Sequence, residues 1–324
     1  MTPDRALERA VRRTRQFLLQ HPVATTRGWL VAVSGGADSL ALWRITAALG
    51  RDLGFAVEAL HVDHGLRPSC HDEAQRVRSW APLLGTPCHV VSVRVPSTGQ
   101  GPEAEARQVR YQALEAVRAQ RGLDGVALGH TLDDQAETVL MRSLTGSGLR
   151  GLAAMHPFAE GRWRPLLWMR RSEARQVAQN LGVDIVDDAS NRDRRLRRPW
   201  LRHEVLPLIE GVLGDVAPQL AALAEQAEGA SDLITRALAS HAAVPAGPGV
   251  VVASRSQVGT LAPWLRAEWL MLNLQHLGVR PRRARVSAQR FARLIDGTAP
   301  FALHLAGARV RGSALELRIE VTGP

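Results

Sequence analysis

Residues 29–42 read WLVAVSGGADSLAL. The run Leu30-Val31-Ala32-Val33 is short, apolar and rich in β-branched residues, which predicts a buried strand. It passes directly into Ser34-Gly35-Gly36-Ala37-Asp38-Ser39, and from Leu40 the apolar residues fall at helical spacing. Strand, small-residue loop and helix start together make an anion site in an α/β protein. The two glycines let backbone approach a phosphate closely, and the free N–H groups and positive end of the helix hold it. Ser34 and Ser39 add hydroxyl donors. Asp38 repels a phosphate unless a divalent cation stands between them. The loop therefore asks for a nucleotide with Mg²⁺, and Asp38 is the expected metal ligand.

The flanking segments predict the sheet to which this loop belongs. Residues 5–19 carry Leu7, Val11, Phe17 and Leu18 among charges at amphipathic-helix spacing. Strands are predicted at 55–62, 88–93 and 125–128, and helices at 72–84, 103–119 and 133–144. Alternation of this kind means a parallel, Rossmann-like sheet covered on both faces. Ligands in such sheets bind beyond the carboxyl ends of the strands. The loops that begin at Ser34, Asp63 and His130 each follow a strand and are expected to open at that edge. A further strand is expected at 163–167 and a helix at 171–181. Residues 216–239 then predict a long helix, and 241–249, with its Pro and Gly, a linker. Helices at 262–277 and 287–295 and strands at 301–305 and 314–321 follow. A boundary near Gly211 divides the chain into an α/β catalytic domain, 1–211, and a helical linker with a small α+β domain, 212–324.

Composition narrows the function. No apolar run approaches a membrane span, so no membrane association is expected. Cys70 and Cys88 are the only cysteines, too few for a disulfide scaffold, which fits a cytoplasmic protein. The net charge is +10, and every basic residue other than histidine is an arginine. GC-rich codons explain arginine in place of lysine but not the positive excess. A polyanionic partner is expected, bound through arginine forks on phosphates. The lack of lysine excludes a Walker A lysine, a Schiff-base lysine and a kinase-type lysine.

Three stretches carry further chemistry. Gly129-His130-Thr131-Leu132-Asp133-Asp134-Gln135-Ala136-Glu137 begins a helix at a strand end. Asp133, Asp134 and Glu137 are three and four apart and share a helix face. Acidic residues in a first turn serve as caps, but three carboxylates beside His130 exceed that need and could bind Mg²⁺ or an amine. His61-Val62-Asp63-His64 looks like a metal cluster, yet zinc would need further ligands. Contact with adenine or ribose suits this strand end better, with His64 and Arg67 near the phosphates. In Glu103-Ala104-Glu105-Ala106-Arg107-Gln108-Val109-Arg110-Tyr111, a Glu103–Arg107 pair is the plain reading, and Arg107 and Arg110 are candidate phosphate ligands. Gly146-Ser147-Gly148-Leu149-Arg150-Gly151 matches GxGxxG but follows a helix, so it is a flexible loop and not a dinucleotide fingerprint. Five arginines crowd residues 192–198 with Trp200 nearby, which reads as an RNA-facing surface.

The motifs SGGADS, HVDHGLR, EAEARQVRY, GHTLDDQAET, GSGLRGLAAM, RPLL and DDASNRD stand in the order and spacing of one family. The chain resembles the tRNA(Ile)-lysidine synthetases, a branch of the PP-loop or N-type ATP pyrophosphatases. The likeness is close over 31–207 and weaker beyond. It implies a PP-loop α/β domain with a small C-terminal domain that binds tRNA. It implies that ATP adenylates the 2-oxo group of the wobble cytidine of tRNA(Ile) with a CAU anticodon, releasing pyrophosphate. The amine of L-lysine then displaces AMP, and codon reading moves from AUG to AUA. Ser34, Gly35, Gly36, Ala37, Asp38 and Ser39 would hold pyrophosphate and its Mg²⁺, with His61, Asp63, His64 and Arg67 on the nucleotide. Asp134, Glu137 and Asp133 would orient the lysine ammonium or a metal, and His130 and Arg110 would assist transfer. A homodimer is expected. Two positions depart from the family: Thr131 stands where a second histidine is common, and Arg198-Pro199-Trp200 replaces an Arg-Asn pair.

A related class, tRNA 2-thiolation, generally uses paired cysteines, which Cys70 and Cys88 do not form. A decayed RNA-binding protein conflicts with the intact Asp38, Asp134 and Glu137.

Overall fold

The computed structural model describes residues 4–21, 26–64, 70–96, 101–185, 196–279, 284–305 and 307–322. The chain opens with α1 (Arg5–Gln20), whose N-terminus is capped by Asp4 accepting the Leu7 N–H at 3.1 Å. Next come β1 (Gly28–Ala32), α2 (Ala37–Leu53), β2 (Ala56–Asp63), α3 (Cys70–Leu84), β3 (Cys88–Ser92), α4 (Pro102–Arg121), β4 (Gly125–Ala127) and α5 (Leu132–Leu144). Glycines in the left-handed region, Gly54 and Gly122, end α2 and α4 where they turn into β2 and β4. Gly28, at φ 134°, opens β1 so close to Ala56 that a side chain there would strike the carbonyl of β2.

After α5 the chain forms a one-turn helix, α6 (Gly148–Leu152), and a short hairpin, β5 (Phe158–Ala159) and β6 (Arg162–Trp163), before α7 (Arg171–Gln179). The strand expected at 163–167 keeps only Trp163, because Pro165 offers no ladder N–H and residues 165–168 turn. The loop expected at 146–151 is in large part the helical turn α6.

The sheet order is β3-β2-β1-β4-β6-β5, parallel throughout except for the β5–β6 hairpin. Its first strand, with four of five residues buried, has β2 on one side and β4 on the other. β1 therefore sits at the switch in strand order, where the crevice of such a sheet opens. One face carries Trp29, Leu40, Trp43, Ile45, Val77, Trp80 and Val177 in a continuous core. The other buries Leu30, Leu60, Val62, Leu114 and Val126.

The remaining elements are α8 (Arg197–Trp200), a π-helical turn at Leu201–Val205, α9 (Leu206–Leu213), α10 (Ala217–Ala237), β7 (Val244–Gly247), β8 (Val250–Ser254), α11 (Arg255–Gly259), α12 (Pro263–His276), α13 (Ala284–Leu294), β9 (Phe301–Leu305), β10 (Ala308–Gly312) and β11 (Glu316–Val321). The chain separates into two compact units, 1–146 with 153–224, and 147–152 with 225–324. The sequence boundary at Gly211 falls inside α9, and the units part within α10. Ala224 belongs to the first unit because it packs with Val139 and Ala154.

The second unit holds an antiparallel sheet of order β7-β8-β11-β10-β9. The segment expected as a linker, 241–249, is largely β7, an edge strand where Pro245 is tolerated. Two buried arginines stitch this unit. Arg255 donates to the carbonyls of Leu294, Ala299 and Ser313 among others, and Arg266 to those of Leu261, Gly259 and Ala292. Among the described residues no single helix is long and apolar enough to cross a membrane.

Candidate active site

The loop after β1 is shaped by its own small residues. Gly35 takes φ 94°, a conformation that side chains disfavour. The Ser39 hydroxyl donates to the Gly36 carbonyl at 2.8 Å and accepts the Ser34 N–H at 3.2 Å, which closes the loop on itself. Gly36 is the N-cap of α2 and supplies no side-chain cap. The first N–H groups of α2 are thus left for a ligand, at the positive end of a helix of 17 residues. Gly129 lies against this turn; a Cβ there would stand 3.1 Å from the Asp38 carbonyl oxygen.

A cavity of about 970 Å³ opens over these strand ends. Ser34, Gly36, Ala37, Asp38 and Ser39 line it from the loop, and His61, Asp63 and His64 from the end of β2. Arg110 and Tyr111 of α4, His130 after β4 and Asp134 of α5 complete the wall predicted from sequence. Gly35 shapes the loop, and Arg67 lies outside the described residues, as do Asp187–Arg195. The side chain of Glu103 is likewise outside them.

The three carboxylates of α5 do not act alike. Asp134 Oδ2 accepts the Thr131 N–H at 2.8 Å and its hydroxyl at 2.9 Å, so a capping box closes the helix start. Its Oδ1 faces guanidinium groups: Arg171 Nη2 donates at 2.7 Å and Arg202 Nη2 at 3.3 Å. Glu137, 1% exposed, accepts from Arg202 Nε at 2.7 Å and Arg171 Nη2 at 3.1 Å. It lies behind the two arginines and off the cavity wall. Asp133 also faces away; its Oδ2 caps α7 through the Arg171 N–H at 2.7 Å, and its Oδ1 pairs with Arg170 at 3.1 Å. Sequence reading placed all three carboxylates at the reacting centre. The structure brings only Asp134 to the cavity, because α7 and the turn at 201–205 lay arginines across the other two.

Charge at the cavity follows from this packing. Burial pushes the Asp38 carboxyl up to about 6, against the pull of Arg171 and with the push of Asp134. Arg171 Nε stands 3.6 Å from its Oδ2, while its Oδ1 is buried with no hydrogen-bond partner. Burial also acts on Asp134 in that sense, yet Arg171, the Thr131 N–H and His130 hold it below the ordinary carboxylate value. The Arg171 charge resists burial because Asp134, Glu137, Asp38 and Asp133 surround it. Burial and nearby arginines bring His130 down to about 4, so it is neutral at pH 7. His64 is lowered for the same reasons, by burial, Arg110 and His61. His61 Nδ1 donates to the Val33 carbonyl at 2.9 Å, which fixes the orientation of the ring.

Four buried polar atoms on this wall lack hydrogen-bond partners: Asp38 Oδ1, His64 Nδ1, His130 Nδ1 and Arg171 Nε. Buried polar atoms are paired as a rule, and these four belong to residues that line one cavity, where a ligand can pair them. Among the described residues no group of three or more His, Cys, Asp or Glu could hold a metal ion. Protein carboxylates alone do not make a cation cage here.

Arg171, Arg175, Arg202 and His203 also line the cavity and were not among the sequence candidates. A signal for them existed: buried carboxylates in a chain without lysine require arginine partners. Which arginines, 34 and 65 residues further along, is a matter of folding. Arg107 is absent from the wall and lies over the Tyr111 ring, 5.0 Å from its centre. Thr131, the departure from the family's histidine, is fully buried as the α5 cap.

The PP-loop domain family matches residues 6–209. A tRNA(Ile)-lysidine synthase of Mycolicibacterium paratuberculosis is 44% identical over 256 residues, covering 77% of this chain and 75% of that protein. Its namesakes from Mycobacterium tuberculosis (strain H37Rv) and Salinispora tropica are 45% identical over 246 residues and 39% over 272, covering 75% and 78% of this chain and 71% and 77% of theirs. Among solved structures, the U34-tRNA thiolase NcsA from Methanococcus maripaludis superposes with a TM-score of 0.57 at 17% identity, over 68% of this chain and 78% of its own, a likeness of fold. With its PP-loop turn at the switch point of a parallel sheet and these relatives across most of its length, the chain belongs to the tRNA(Ile)-lysidine synthase family of PP-loop proteins.

Proposed function

We propose that the protein joins L-lysine to the wobble cytidine of tRNA(Ile) with a CAU anticodon, consuming ATP and releasing AMP and pyrophosphate. The observation that carries the reading is the convergence of the loops at Ser34, Asp63 and His130 on one cavity where Asp38 Oδ1, His64 Nδ1, His130 Nδ1 and Arg171 Nε are buried without a hydrogen-bond partner. The relatives' shared name supplies the reaction.

In this reading the loop Ser34–Ser39 and the first turn of α2 hold the phosphates. His61 and Asp63 contact the nucleoside, and His64 the phosphates. Asp38 is the ligand for Mg²⁺, and its buried, unpaired Oδ1 fits a cation. Mg²⁺ supplies charge neutralisation at the phosphates when bound.

The cytidine 2-oxo oxygen attacks the α-phosphorus of ATP and pyrophosphate leaves. The lysine side-chain nitrogen then attacks C2, and AMP departs with that oxygen. The amine enters as an ammonium and gives up a proton before it attacks. Asp134 orients it, and neutral His130 and the Arg110 guanidinium act at the reacting base. Glu137 and Asp133 are positioning residues that work through Arg171 and Arg170. A homodimer in the cytoplasm belongs to the same reading, and sedimentation equilibrium tests the assembly.

Continuous conversion of ATP to AMP and pyrophosphate is expected only when lysine and the tRNA are both present. Sulfur transfer to the tRNA, or nucleotide binding without turnover, would defeat the proposal.

A further inference from the structure

The chain has a single tyrosine, Tyr111, and arginines surround its ring. The Arg162 guanidinium of β6 lies 4.4 Å from the ring centre, that of Arg107 in α4 5.0 Å and that of Arg110 5.8 Å. Each is within the reach at which a cation is drawn to an aromatic face. Arg164, two residues beyond Arg162, adds to the crowd. Its Nη1 donates to the His156 carbonyl at 2.8 Å, and its Nε is buried without a hydrogen-bond partner. Burial and the nearby charges of Arg162 and Arg107 push this guanidinium below its ordinary value.

Cations packed this closely need a counterweight. Arg162 donates to Glu160 at 2.8 Å, but Glu160 is exposed and water weakens the pair. Among the described residues neither Arg107 nor Arg164 is in an ion pair. The ring stands where a carboxylate would otherwise be needed, and the two differ in what they leave free. A guanidinium forked onto a carboxylate spends two N–H donors and its charge. One drawn to a ring keeps its donors for another acceptor.

We infer that Tyr111 is a positioning residue whose ring holds the Arg107 and Arg162 guanidinium groups without neutralising them, so that they meet the phosphodiester backbone of the RNA substrate. This rests on the reading of that substrate as a tRNA. Arg110 and Tyr111 line the active cavity, whereas Arg107 and Arg162 do not. Arg162 lines a second hollow of about 310 Å³, and Tyr111 and Leu114 are walls of both. The ring therefore stands between the space that takes the nucleotide and arginines outside it. The charges of Arg164 and Arg107 nevertheless reach His130, at the reacting base. A base that enters such a cavity leaves its flanking phosphates outside, on the side where these arginines are.

The test is a double-mutant cycle read by steady-state kinetics of AMP formation at varied tRNA and by filter binding of the tRNA. The proteins are wild type, Tyr111→Phe, Tyr111→Leu, the pair Arg107→Met with Arg162→Met, and that pair carrying Tyr111→Leu. Tyr111→Leu is expected to raise KM for tRNA about 5- to 30-fold, the worth of cation–π contacts in a partly desolvated place. KM for ATP should stay within about twofold. Tyr111→Phe keeps the ring and should stay within about twofold of wild type for both substrates. The arginine pair alone should raise KM for tRNA about tenfold or more. In that background Tyr111→Leu should add less than about threefold, which separates a ring that acts through the arginines from one that only packs.

An equal cost of Tyr111→Leu in both backgrounds would overturn the inference. So would a Tyr111→Phe as impaired as Tyr111→Leu, or a rise confined to ATP. If Tyr111→Leu does not fold, the arginine pair decides, and an unchanged KM for tRNA in that protein would overturn the inference as well. Absence of lysine-dependent turnover in wild type would instead overturn the proposed function and is seen before any variant is made.

Discussion

Asp38 carries two opposed demands. Its carboxyl titrates near 6 because burial removes water from it and Asp134 lies close by. A carboxyl raised in the fold above its ordinary value of 3.8 stabilises the fold below that value, and the contribution is lost as pH rises through 6. At pH 8 the ionised group costs the ligand-free fold about 1–3 kcal/mol. Asp38→Asn is therefore expected to raise the stability of the free protein by about that amount at pH 8 and to give no advantage at pH 4. The same variant should lose ATP-dependent turnover. Chemical denaturation at the two pH values, with a pyrophosphate-release assay, checks both halves. Glu137 belongs to the same cluster of charges. It is buried and held by two guanidinium groups, so Glu137→Ala leaves those charges short of a partner at a cost of about 3–5 kcal/mol. Thermal melting should show a large fall in Tm, and the kcat of any folded fraction should fall because Arg171 is no longer held.

Helix α5 begins with a box in which Thr131 and Asp134 satisfy one another's backbone. Thr131→Ala removes the hydroxyl partner of Asp134 Oδ2 and the cap of a buried helix start. A loss of about 1–2 kcal/mol is expected in denaturant unfolding. Asp134 Oδ1 keeps its arginine partners, so a loss in catalysis many-fold greater than the loss in stability would mean that the cap also sets the position of the carboxylate. The elements that build the site were legible where their patterns are local. A β-branched run before SGGADS announces β1, and three acidic residues after GHT announce α5. Position in the sheet also followed, since alternating strands and helices leave the strand ends as the place for a ligand. The arginine partners were not legible. Nothing local to α5 says that Arg171 and Arg202 will cover Glu137 and turn Asp133 toward α7. Nor did 241–249 announce a strand, because an edge strand tolerates the proline that would forbid a central one.

At the scale of the whole molecule, the positive excess is carried wholly by arginine. Part of that arginine is structural, as in Arg44, Arg255 and Arg266, whose forks bond backbone carbonyls inside the fold. Net charge alone therefore overstates the surface available to RNA, which composition could not reveal. The rest is expected to meet phosphates. Binding of the tRNA should fall roughly a thousandfold between about 50 and 200 mM salt if about six phosphates are contacted, and a filter-binding series reads the slope. A slope near zero would remove the electrostatic partner. The place where the two compact units part was not legible, since α10 is one continuous helix with Ala224 packed in the first unit's core.

The most direct measurement is mass spectrometry of nucleosides from tRNA(Ile) with a CAU anticodon after incubation with the protein, ATP, Mg²⁺ and isotope-labelled lysine. The expected result is a cytidine heavier by one lysine less one water, carrying the label at the wobble position, with one AMP and one pyrophosphate formed for each. An unmodified cytidine with ATP consumed, or a nucleoside that has gained sulfur, would contradict the assignment.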